Sequence, residues 1–242
     1  MTVTIIGIDC ATQDKKIGLA LGYFDDDEAQ IEQVTVGSME ASIVETVAQW
    51  IVRRSSTLIA LDAPLGWPVG LDQALHSHEA GAPIQVERNK MFRRLTDRVI
   101  KREIDKLPLD VGASPIARTA HAALQLLQQL RVRTGEAIPL AWQPLVGSNT
   151  YAIEVYPAAT LAAYGIKVKR KDGHIARQAI LRFLQKQISL PHDTTLMESN
   201  DDALDAAICV LAGVDFMRGE VIEPTDIQVA KKEGWIWVRK PN

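Results

Sequence analysis

Asp9 and Asp62 each end a short apolar run, Glu154 lies near the end of another, and Asp202 and Asp205 stand three apart at the head of a long one. If the first two runs are neighbouring parallel strands, about 4.8 Å apart, their carboxylates leave the sheet at the same edge, with Glu154 one strand further out. Residues 202 and 205 share one face of a helix. Two like charges 4 Å apart repel by about 4 kcal/mol at the effective dielectric of a protein edge, so acids converging there call for a cation. Oxygen-only ligation with open water positions suits Mg²⁺ or Mn²⁺, and a pair of such ions supports phosphodiester hydrolysis by water with no covalent intermediate. Asp9, Asp62 and Asp205 are the candidate catalytic residues, and Asp202 and Glu154 are candidate ligands beside them. Each acid also has a structural alternative. Asp201 and Asp202 can charge and cap a helix N-terminus, and Asp9 and Asp62 can close Asx-turns. Asp205 sits among Ala203, Leu204, Ala206, Ala207 and Ile208, where a carboxylate needs a partner.

The elements that must position these acids follow from periodicity. Thr4–Asp9, Lys16–Phe24 and Gln30–Gly37 read as strands, with Asp25–Glu28 as the turn of an antiparallel meander. That acidic quartet lacks calcium-loop spacing and reads as a solvated hairpin tip. Glu40–Arg54 is an amphipathic helix, and Thr57–Asp62 a buried parallel strand stopped by Ala63-Pro64. From Leu65 to Asn149 six prolines separate helical pieces such as Ile116–Arg133, which makes 65–149 a mostly helical insertion. Strand character resumes over Thr150–Tyr156. Helices follow at Gly173–Ile188 and Asp201–Phe216, and Trp235–Val238 closes the order as a short strand. Three antiparallel strands followed by helix-linked parallel ones predict an α/β fold, a mixed sheet with helices on both faces, in one domain spanning 1–242.

With 47% hydrophobic and 24% charged residues, the chain has the balance of an ordered globular domain, and its longest apolar run, Ala203–Gly213, is too short to span a membrane. The N-terminus lacks the basic region of a signal or transit peptide, so a cytoplasmic location is expected and a membrane partner is not. Two distant cysteines and five scattered histidines exclude a zinc cluster and a disulfide framework. Net charge is −3, yet Arg88–Arg102 carries seven basic residues against Asp97 alone, and Lys167, Lys169, Arg170 and Lys171 form a second basic knot. Either is an ordinary solvated face or a phosphate-binding surface; Arg94, Arg98 and Lys169 are the candidate substrate contacts. Walker A, dinucleotide and serine-hydrolase signatures do not occur.

Gly7-Ile8-Asp9-Cys10-Ala11 with Ile17-Gly18-Leu19-Ala20 resembles the first hairpin of the RNase H-like superfamily, and Asp202-Ala203-Leu204-Asp205-Ala206-Ala207 resembles the last catalytic helix of RuvC-type resolvases. With Leu61-Asp62-Ala63-Pro64-Leu65, Arg94-Leu95-Thr96-Asp97, Glu154-Val155-Tyr156-Pro157-Ala158-Ala159 and Glu233-Gly234-Trp235-Ile236, the chain looks most like the family called domain of unknown function 429, described as nucleases predicted from sequence. That resemblance implies a five-stranded sheet of order 3-2-1-4-5 and a two-metal site of Asp9, Asp62, Asp202 and Asp205. Where related enzymes place a glutamate on the first helix, this chain offers Glu40 and Glu45, with Glu154 as the alternative. The expected function is a Mg²⁺- or Mn²⁺-dependent nuclease acting on DNA or RNA, alone or as a homodimer. Two rivals stand beside it: a nucleotide-dependent phosphotransferase of actin-like topology, faintly resembled by Asp9-Cys10-Ala11-Thr12, and a catalytically silent nucleic-acid-binding protein.

Overall fold

The computed structural model describes residues 2–38, 41–52, 56–112, 115–144, 148–168 and 173–241. Its centre is a five-stranded sheet in the order β3-β2-β1-β4-β5. Strands β1 (Val3–Asp9), β2 (Gly18–Asp25) and β3 (Glu28–Val36) form the antiparallel meander, while β4 (Thr57–Asp62) and β5 (Thr150–Glu154) run parallel to β1. The β2–β3 turn has positive φ at both central residues, Asp26 (45°) and Asp27 (72°), which matches the right-handed twist of the strands it joins.

Alternate strand residues feed two apolar layers. Val3, Ile5, Ala20, Leu58, Ala60 and Ile153 pack against α6 (Pro157–Ala163), α7 (His174–Leu184) and α9 (Asp201–Met217). Ile6, Ile8, Leu19, Leu21, Ile59 and Leu61 face α1 (Ile43–Val52) and α5 (Ile116–Thr134). Helix α5 therefore completes the second helical layer beside α1, although it belongs to the segment between β4 and β5. The rest of that segment holds α2 (Val69–Leu75), α3 (Arg88–Phe92) and α4 (Leu95–Ile104). Helices α8 (Thr195–Ser199) and α10 (Ile227–Glu233) complete the set among the described residues. None of the helices described is long and apolar enough to cross a membrane.

Two expectations change. Thr150–Tyr156 stops being strand at Glu154, because Pro157 opens α6. Trp235–Val238 is not a strand: Ile236 makes an isolated parallel bridge to Glu154, and Arg239 bridges Val221. All four of its residues are buried, since this stretch serves as filling between helices and the sheet edge.

Helix α9 is buried from Ala203 to Phe216 and lies against β1, β2 and β4. Glycines set how close it comes. A Cβ at Gly7 of β1 would sit 2.1 Å from the Ala206 carbonyl oxygen, and one at Gly18 of β2 would sit 1.9 Å from that of Asp202. No side chain fits there, so the first two turns of α9 rest on bare strand backbone. Further along, the fully buried Asp215 accepts from Tyr164 Oη (2.6 Å) and Arg239 (3.2 Å), while its Oδ2 has no hydrogen-bond partner. Burial pushes the Asp215 carboxyl up to about 6, against the opposing pull of Tyr164 and Arg239.

Gly7→Ala is expected to lower the unfolding free energy by about 1–3 kcal/mol, because α9 must lift from β1; urea denaturation measures this, and an unchanged midpoint contradicts the close approach. Between pH 4 and 6 the folded chain keeps an Asp215 proton that the unfolded chain gives up. This contribution to stability is full below the ordinary carboxylate range and is lost as pH rises through about 6. Relative to Asp215→Asn, the wild type should lose a few kcal/mol across that interval, as read from denaturation midpoints at pH 4 and pH 7.

Candidate metal centre

β1 and β4 end in step. Asp9 and Asp62 are paired in parallel register, so their side chains leave adjacent strands at the same height and on the same face, the face covered by α9. Asp205 lies one turn into α9, just before Ala206, whose carbonyl presses on Gly7. The close approach allowed by Gly7 and Gly18 thus carries a third carboxylate to the strand ends. One oxygen from each of Asp9, Asp62 and Asp205 lies within 4.8 Å of the others. Asp205 is 8% exposed, while Asp9 and Asp62 are half-buried.

Three carboxylates at that separation, with no imidazole or sulfur in the group, form a donor set for a hard divalent cation. Two thiols are close by but outside it. Cys10 and Cys209 each approach the Ile8 carbonyl oxygen at 3.8 Å. Burial pushes both thiols well above their ordinary range, and the charges of Asp62 and Asp9 push in the same direction.

Among the described residues, the other expected ligands fall outside the converging group. Asp202 is half-buried in the first turn of α9 and does not join the converging group. The cap of this helix is Asn200, whose side chain accepts from Ala203 N (2.9 Å), and Asp201 instead pairs with Arg177 (3.0 Å). Glu45 on α1 pairs with Arg133 of α5 at 2.7 Å, on the opposite side of the sheet. Glu40 lies outside the described residues. Glu154 is at the same sheet edge, as its position at the end of β5 predicts, yet its carboxylate is occupied. It accepts from Arg94 Nη2 (2.7 Å), Arg94 Nη1 (2.8 Å) and Leu65 N (2.9 Å).

Arg94 is accordingly not a surface phosphate contact. It is 1% exposed, and besides Glu154 it binds Asp97 (2.9 Å) and the Glu233 carbonyl (3.2 Å). Burial works against the guanidinium charge, but the carboxylates of Glu154 and Asp97 outweigh it and hold the pKa above its ordinary value. Burial pushes Glu154 upward, opposed by the charge and hydrogen bonds of Arg94. Glu233 extends the knot by accepting from Val69 N (2.8 Å) and Leu95 N (2.5 Å), so that one carboxylate serves the starts of α2 and α4. Thr96 Oγ1 accepts from Ile236 N at 2.9 Å. Arg98 is exposed on α4, and Lys169 lies outside the described residues. Asp97 and Glu233 were reached only through motif resemblance. Asp97 Oδ2 also accepts from Arg94 N (2.9 Å), a link three residues long with no Ser or Thr to mark it in the sequence.

Asp9 and Asp62 line a cleft of about 250 Å³, whose lining also includes Ala63, Pro64, Tyr156, Pro108, Leu109 and Ile116. A larger hollow of about 770 Å³ opens near Thr2, Asp25 and Glu28, at the other end of the strands and away from the three acids.

A mixed five-stranded α/β sheet with an acidic triad at the carboxyl ends of its central parallel strands is the class defined by fold and site. The chain belongs to the family described as protein of unknown function (DUF429), which matches residues 7–228. No curated protein matches it significantly.

Arg94→Met is expected to destabilise the chain by roughly 3–5 kcal/mol, because it leaves Asp97 and Glu154 buried without their counter-charge. Arg98→Met should stay within about 0.5 kcal/mol of wild type. Equal denaturation midpoints for the two variants would contradict the internal role of Arg94.

Proposed function

We propose that this protein is a divalent-cation-dependent phosphodiesterase acting on nucleic acid. The observation that carries this reading is the convergence of Asp9, Asp62 and Asp205 within 4.8 Å, with Asp9 and Asp62 lining a cleft. Their three carboxylates would hold Mg²⁺ or Mn²⁺. When bound, such an ion neutralises charge on a phosphoryl group and lowers the pKa of water. Asp9 and Asp62 present their carboxylates to the cleft from rigid strand ends, while Asp205 is fixed by the seating of α9 on Gly7 and Gly18. In the hydrolysis, water oxygen bonds to phosphorus, the ester P–O bond breaks, and a proton passes to the departing oxygen. The triad accounts for one ion. A second would draw on the substrate phosphate and on Asp202, one turn before Asp205. A cytoplasmic location belongs to the same reading, with Cys10 and Cys209 as free thiols.

Calorimetric titration with Mn²⁺ should show binding that weakens about a hundredfold or more in Asp205→Asn and in Asp9→Asn. Cleavage of single-stranded DNA or RNA should require Mn²⁺ or Mg²⁺ and vanish in both variants. A folded wild type that neither binds Mn²⁺ nor cleaves any phosphodiester overturns the reading.

A further inference from the structure

We infer that the substrate of this centre is a phosphodiester carried on one unpaired nucleoside, as at the end of a single strand, and not a phosphodiester within a duplex. The inference rests on the phosphodiesterase reading of the triad and adds what the cleft beside it selects.

The first argument is size. At about 250 Å³ the cleft lies at or just below the small end of ligand pockets, which start at about 300 Å³. That is room to enclose one nucleotide-sized group.

Charge gives the second argument. Proteins that follow a duplex place Lys and Arg along its phosphates. Among the described residues lining this cleft the one cation is Arg94, which is 1% exposed and committed to Asp97 and Glu154. Arg93, next in the chain, is paired with Asp110 at 3.2 Å. Among the described residues, the lining therefore offers a polyanionic backbone no ladder of contacts.

The third argument is the chemistry of the apolar lining. Pro108, Leu109 and Ile116, from the segment between β4 and β5, line the same cleft as Asp9 and Asp62, and Leu109 is 65% exposed. A large aliphatic side chain left in water beside a cluster of carboxylates gains if something apolar covers it. Tyr156 adds an aromatic ring to the lining. Every nucleobase has an apolar face, and unpaired bases are recognised by stacking on such surfaces. With a base against Leu109 and Ile116, the phosphate on its sugar falls toward Asp9 and Asp62. A base stacked inside a duplex exposes only its edge and cannot use this lining.

The test compares thymidine 5′-(4-nitrophenyl) phosphate, a 20-nucleotide single strand and the same strand in a blunt duplex, each with Mn²⁺, for wild type and Leu109→Ser. Leu109 is exposed, so its substitution should leave folding intact. The nucleoside ester and the single strand should be hydrolysed, and the duplex interior should be cut at least a hundredfold more slowly. In Leu109→Ser the KM for the nucleoside ester should rise about tenfold with kcat within twofold, the mark of lost binding that is equal in ground and transition states. Its Mn²⁺ affinity should match wild type. Mn²⁺-dependent cutting inside the duplex at a comparable rate, or an unchanged KM in Leu109→Ser, overturns this inference and leaves the phosphodiesterase reading standing. Absence of Mn²⁺ binding and of turnover on all three substrates overturns both.

Discussion

Like-charge crowding at the rim of the sheet is the constraint around which this protein is arranged. One oxygen of each of Asp9, Asp62 and Asp205 lies within 4.8 Å of the others, and the backbone is what brings them together. Two strands in step supply Asp9 and Asp62. The third acid arrives on a helix that can come close enough only because β1 and β2 carry glycine where it lands. The convergence is thus a product of strand register and helix seating together.

A second electrostatic centre, built on the opposite principle, stands beside the first. Arg94, Asp97, Glu154 and Glu233 are buried, bonded to one another or to backbone amides, and tie together β5, the starts of α2 and α4, and the turn after α10. Breaking such a group by removing one member is far more damaging than never having had it. It holds the segment between β4 and β5 against the sheet edge. Pro108, Leu109 and Ile116 of that segment line the cleft together with Asp9 and Asp62.

Much of this architecture was legible in the chain itself. Strand β4 was bounded correctly because a pure apolar run ends at an acid followed by Ala-Pro, and α5 was recovered to within a residue from its periodicity. Asp205 stood out because a carboxylate inside an apolar helix must have company. The strand order came from motif resemblance, and Asp9 paired with Asp62 follows from it. Long-range pairing was what periodicity did not disclose. Arg94 and Glu154 are 60 residues apart, and no local pattern distinguishes a basic residue destined for burial from Arg98, four positions on and exposed. Glu154 was placed at the edge as a candidate ligand, and its pairing with Arg94 was not foreseen. The stretch 235–238 has strand-like residues without strand pairing, because filling a gap and joining a ladder ask for the same side chains.

The order in which the acids occur along the chain has a consequence for how the protein matures on the ribosome. The meander and β4 contain their own hydrogen-bond partners and can pair once residue 62 has emerged, but at that stage they offer only two of the three carboxylates. The third arrives after more than half the polypeptide has followed, and the glycine seats on β1 and β2 stay bare until α9 docks. A nascent chain therefore carries an incomplete ligand set through most of its synthesis, and the docking of one late helix both closes the core and completes the triad.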